Sequence, residues 1–63
     1  MDKKILEERL RQLLAVDRNA FDIYTKLAER AQTQKMKATL LAIAADEKMH
    51  AKSEDEILKL ILT

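Results

Sequence analysis

The chain has no cysteine, no glycine and no proline, and each absence removes a class of structure. Without cysteine there is no disulfide framework and no thiolate metal site. Any metal must be held by carboxylates, the single histidine His50, the single tyrosine Tyr24 or backbone oxygens. That donor set suits iron, manganese or zinc better than copper(I). One histidine per chain also means that a site with two imidazoles needs two chains. Without proline nothing breaks a helix outright, and without glycine the usual left-handed helix end is costly. Aromatic residues are nearly absent, with only Phe21 and Tyr24. An excess of one charge is lacking too: 12 basic residues meet 11 acidic ones, for a net charge of +1. With no polybasic block and so few aromatics, a nucleic-acid partner has little support. The longest apolar cluster, Ile57-Leu58-Lys59-Leu60-Ile61-Leu62, is far too short to span a membrane. No signal-peptide pattern opens the chain, so the expected location is the cytoplasm and no membrane partner is expected.

What is present is helical. Hydrophobic residues make up 48% of the 63 positions and charged residues 37%, the balance of a helical bundle rather than of a disordered tail. Apolar residues recur in steps of three and four through Leu6, Leu10, Leu13, Ala20, Tyr24 and Leu27, which predicts one long helix. A second seam starts at Met36 and runs through Leu40, Ile43 and Ile57 to Ile61. Leu14, Phe21 and Ala28 widen the first stripe, and Leu41, Ala44, Ala51 and Leu58 flank the second. Between them Gln32-Thr33-Gln34 is the one polar, weakly helical stretch, and Thr33 can cap a helix that follows it, as Asp2 can cap the first. The expected fold is all-α: a single antiparallel helical hairpin over 1–63, with helix 1 at about 2–31, a turn at about 32–34 and helix 2 at about 35–62. The competing reading is one continuous helix. A chain this short buries little surface alone, and both stripes are wider than one partner covers. Pairing two hairpins into a four-helix bundle meets that need.

The two seams are interrupted by polar residues at one level. Asp17 lies in the first, and Glu47, His50 and Glu54 follow one another in the second. With the turn centred on residue 32, Asp17 and Glu47 stand equally far from it and face each other. Residues three apart share a helix face, so Glu47 and His50 project together. Burying a carboxylate without a partner costs roughly several kcal/mol. A counter-charge, a hydrogen-bond network or a metal can offset that. A two-fold axis near this layer brings together two copies each of Asp17, Glu47 and His50, giving four carboxylates and two imidazoles. Three other readings stand beside the metal. The polar layer can fix helix register in an oligomerisation module with no metal. The site can hold redox-inert zinc or manganese as a structural staple. Asp17 can pair with Lys48 or Arg18. Glu54 reads as an auxiliary metal ligand or as an exposed helix-pairing acid, and Tyr24 as a core aromatic or as a hydrogen-bond donor behind the ligands. Met36 and Met49 read as gap-filling apolar residues, and Asp46 and Glu56 as solvated.

An acid on one helix, Tyr seven positions later, and Glu-x-x-His on the next helix together form a pattern. It runs from Asp17 and Tyr24 to Glu47-Lys48-Met49-His50. In this the chain resembles the ferritin-like and rubrerythrin-like di-iron carboxylate proteins. With two helices rather than four, it is most similar to the encapsulated-ferritin branch, in which the di-iron centre forms between two subunits. The resemblance implies a homo-oligomer, a dimer or a ring of dimers. It also implies ferroxidase activity, which oxidises Fe(II) with O2 or peroxide for iron storage or detoxification, inside an encapsulin-type shell or nanocompartment. It makes Asp17, Glu47 and His50 the metal-binding and catalytic residues, with Tyr24 behind them. One position departs from the family pattern: its first-helix ligand is normally Glu, and Asp17 is one methylene shorter.

Overall fold

Asp2 and Thr33 start the two helices of this protein. The structure is a computed structural model and describes residues 2–63. Helix α1 spans Lys3–Glu29 and helix α2 spans Gln34–Leu62. The Asp2 carboxylate accepts a hydrogen bond from the Lys4 amide at 3.2 Å, and the Thr33 hydroxyl accepts one from the Met36 amide at 3.1 Å. Each satisfies a backbone donor that the first turn leaves without a partner, a contribution of about 1 kcal/mol. Neither helix carries an acid in its first turn, so the reciprocal half of a capping box is missing.

Helix α1 ends without glycine by tightening. The Arg30 and Ala31 amides donate to the carbonyls of Leu27 and Ala28, at 3.1 and 3.2 Å, in three-residue steps. No described residue has a positive φ, so the corner at 30–33 needs no left-handed position. The turn therefore begins earlier than the polar run Gln32-Thr33-Gln34 suggests, because Arg30 already leaves the helix.

The two helices pack along their length into a rod of 46 × 14 × 14 Å. Leu10, Leu14, Ala51 and Leu58 form the core cluster, with Leu6 and Ile61 packed against it. Ala28 and Ala44 are also buried. Leu14, Ala28, Ala44, Ala51 and Leu58 are positions that the sequence places at the flank of each stripe, while Leu6, Leu10 and Ile61 belong to the seams themselves. The expected centre of the seam is instead half open: Leu13 is 50% exposed, Leu27 48% and Ile57 43%. The cause is residue size. Alanines at 28, 44 and 51 let the backbones approach, so the contact centres on them and the larger aliphatics rotate to its edge.

That rotation sends Leu13, Leu27 and Ile57 to one flank. Positions 13, 20 and 27 lie one place before 14, 21 and 28, and positions 43, 50 and 57 lie one place before 44, 51 and 58. One residue back is about 100° of helix rotation. The sense is the same on both helices, and since they run antiparallel it leads to the same side of the hairpin. One flank is thus apolar, around Leu13, Leu27, Met36 and Ile57. The other is polar, with a groove lined by Arg18, Phe21, Asp22, Lys48, Lys52 and Asp55. No helix among the described residues is long and apolar enough to cross a membrane.

Candidate metal centre

Asp17 from α1 and Glu47 and His50 from α2 meet on the apolar flank. One donor atom from each lies within 4.8 Å of the others. Glu47 and His50 are held together by their spacing of three on one helix, and Asp17 is delivered by the packing of α1 on α2. Asp17 and Glu47 are half-buried, while His50 is exposed on the open edge. Two donors bound to one ion at bonds of about 2.1 Å stand at most about 4.2 Å apart. The three donors span up to 4.8 Å, so gripping one ion requires side-chain rotations that draw them together.

Glu54, one turn beyond His50, lies beside this group of three and not within it. Its Oε1 is shielded from solvent and has no hydrogen-bond partner. The Asp17 carboxyl is within hydrogen-bonding reach of both Glu47 and Glu54. Asp17 meets Glu47, as the turn-centred register expects, and Glu54 lies nearby on the same face of α2. A hydrogen bond between two carboxyls needs a proton on one of them. The carboxyls of Glu47 and Glu54 are accordingly both held above their ordinary value of 4.5. Loss of hydration at the helix contact is the first cause for each, and the hydrogen bond and repulsion from Asp17 come next. His50 acts in the opposite direction on both.

No lysine or arginine resolves this crowding. The ion pairs among the described residues are Arg11 with Glu7 at 3.8 Å and Lys59 with Asp55 at 3.1 Å, and neither includes a cluster acid. Lys48 turns to the polar flank and lies 5.9 Å from the centre of the Phe21 ring. Arg18 lines the groove on that flank as well. The alternative in which Asp17 pairs with Lys48 or Arg18 is not the arrangement seen. Three acids converge with one imidazole and no fixed cation. A pair of oxygens, a nitrogen and an orphaned carboxylate oxygen fit a hard or borderline divalent ion.

Tyr24 is half-buried on α1, about 10 Å along the helix from Asp17. Its hydroxyl makes no hydrogen bond into the cluster within this chain. The signal for Glu54 was its spacing, four after His50 and seven after Glu47, which keeps it on the face they share.

Comparison with known proteins adds no relative: no family model, no curated protein and no solved structure matches the chain. The likeness to ferritin-like proteins rests on Asp17, Tyr24, Glu47 and His50 themselves.

Proposed function

We propose that the protein is a ferritin-like metal-binding subunit whose centre forms between two copies of the chain. The observation that carries this is the cluster itself: two carboxylates and an imidazole, from two helices, within 4.8 Å and without a counter-cation. Its position supports the second copy. The chain exposes 5127 Å². A compact monomer of 7.3 kDa exposes roughly 4,200 Å². The excess is close to the ~800 Å² that each partner covers in an interface of standard size. Leu13, Leu27, Met36 and Ile57 are exposed on the flank that carries the cluster, so a second copy covering them would also enclose the metal layer.

In this reading two hairpins form a four-helix bundle. Asp17, Glu47 and His50 of each supply four carboxylates and two imidazoles, and four negative charges balance two divalent ions. A pair of ferrous ions so bound supplies electrons to O2 or peroxide, which is the ferroxidase reaction. The chain's own part is to bind and position. The half-buried Glu47 would bridge, His50 on the exposed edge would cap one ion, and Asp17 would close the site from the opposite helix. The apolar flank excludes water from the layer once it is covered.

Fe(II) titration under anaerobic conditions, followed by admission of oxygen and read by absorbance, tests the function. Saturable binding with an oxygen-dependent ferric band supports it. Binding without oxidation leaves a zinc or manganese staple, and no binding removes the metal. The same apolar flank favours a second reading, a metal-free oligomerisation module, since it calls for a partner with or without an ion. The two separate on linkage. A site shared between subunits requires metal to tighten the dimer by mass action. A dimer dissociation constant that ignores both Fe(II) and chelator selects the module.

A further inference from the structure

We propose that two copies of the chain pair with their turns at opposite ends, about a two-fold axis that crosses the rod at the level of Asp17, Glu47 and His50. This rests on the two-copy reading above and adds the orientation that it leaves open. Two hairpins can cover each other's apolar flank in two ways. An axis along the rod puts both turns at one end and stacks α1 on the partner's α2. An axis across the rod puts the turns at opposite ends and stacks each helix on its own counterpart. Neighbouring helices are antiparallel in both, so the packing class does not choose between them.

The height of the cluster does. Val16 is the central residue of α1 and Lys48 the central residue of α2. Asp17 is one position from the first, and Glu47 and His50 lie on either side of the second. The three converging donors therefore stand at the middle of a rod 46 Å long. An axis along the rod matches the two clusters at any height. An axis across it matches them only at its own level, and the two apolar flanks then overlap in full only if that level is the middle. The cluster meets a condition that only the crosswise axis imposes.

The residues along the flank agree. Leu13 and Ala20 stand equally far from a level just beyond Val16, and so do Leu6 and Leu27. The crosswise axis thus sets the half-exposed Leu13 against an alanine, large against small, beside the cluster. Glu47 and His50 stand equally far from a level just beyond Lys48, so the imidazole of one copy comes level with a carboxylate of the other. The lengthwise axis sets that imidazole level with a leucine of the partner, Leu13.

Charge gives a further ground. From Ile23 to Leu41, around the turn, the bases Lys26, Arg30, Lys35 and Lys37 stand with one acid, Glu29. Turns at one end bring two such positive corners together, and like charges repel. Turns at opposite ends lay each corner over residues 4–10 and 56–63 of the partner, where three bases and three acids balance.

The chain has no cysteine, so one introduced cysteine carries one spin label per copy. Double electron–electron resonance on the full chain labelled at Gln32→Cys measures the distance between turns. A separation close to the 46 Å length of the rod is expected. Turns at one end give about 20 Å, two helix spacings. A second variant, Asn19→Cys, labels the middle of the rod, where either orientation gives about 30 Å or less, the thickness of a four-helix bundle. Sedimentation establishes that both labelled variants are dimers. Any Gln32 separation well short of the rod length, beside a short Asn19 separation, overturns the orientation and leaves the dimer standing. No dipolar coupling at Asn19, with or without Zn(II), removes the dimer and the orientation with it.

Discussion

Leu13 and Leu41 offer a direct test of the two-flank description. They are the same residue, exposed to nearly the same extent, at 50% and 44%, but they lie on opposite flanks of the hairpin. Leu13 belongs to the apolar flank beside Asp17. Leu41 falls two heptads before Asp55 and one before Lys48, which line the polar groove. Fully burying a leucine is worth about 2 kcal/mol. Half of Leu13 is still open in the single hairpin, so covering it in a dimer contributes about 1 kcal/mol per copy. A symmetric interface counts the residue twice. Leu13→Ala is therefore expected to weaken the dimer by about 2 kcal/mol, or about 30-fold in dissociation constant. Leu41→Ala is expected to leave it unchanged. Both keep a strong helix former, so helicity is not the variable. Sedimentation equilibrium of the metal-free protein measures both constants directly. Equal effects from the two substitutions would refute the assignment of the apolar flank, and a compact helical monomer in the parent at micromolar concentration would refute the need for a partner.

His50→Ala is expected to abolish most metal binding while keeping a helical oligomer, because it removes one donor from each half and leaves a small apolar residue on an apolar flank; full metal stoichiometry with an altered oligomer size counts for a register role instead. Asp17→Glu lengthens the short acid by about 1.5 Å, one C–C bond, and is expected to raise metal affinity or speed Fe(II) oxidation, with Asp17→Ala doing the reverse; titration curves superimposable on the parent exclude Asp17 as a ligand. In the metal-free protein Glu47 and Glu54 have folded values raised above the ordinary 4.5. The fold then binds more protons than the unfolded chain in the range between, so the contribution of these two groups is fully present below 4.5 and declines as pH rises through the raised folded values. Denaturant titrations are expected to show that decline, and the double variant Glu47→Gln, Glu54→Gln is expected to flatten it; an unchanged profile in the variant removes the cluster as its source.

The helices and the turn were readable from local chemistry. Thr33 could be recognised as a cap because its hydroxyl serves an amide three residues on, a relation that depends on nothing remote. The end of α1 was harder to read. Without glycine the sequence marks no corner, and the three-residue tightening at Arg30 leaves no compositional trace. The stripe told which residues are apolar but not which of them the contact between the two helices covers. Leu13 and Leu14 look alike in a periodicity, and the structure separates them because the contact settles on Ala28, Ala44 and Ala51. The cluster of Asp17, Glu47 and His50 was legible from spacing and a turn. The nearness of Glu54 to Asp17 was less legible, since spacing alone does not tell whether an acid two turns beyond Glu47 comes close to α1.

The buried alanines have a consequence for the chemistry beside them. Ala44 lies about one turn before Glu47 and Ala51 about one turn after it. Small buried residues on both sides let the backbones approach at the level of the acids, and the half-buried acids lie at the edge of that contact, so the distance between the two main chains bears on how far apart their oxygens stand. The helix spacing acts as a gauge. If the group takes an ion, the radius it accepts would be set in part by methyl groups that do not touch it.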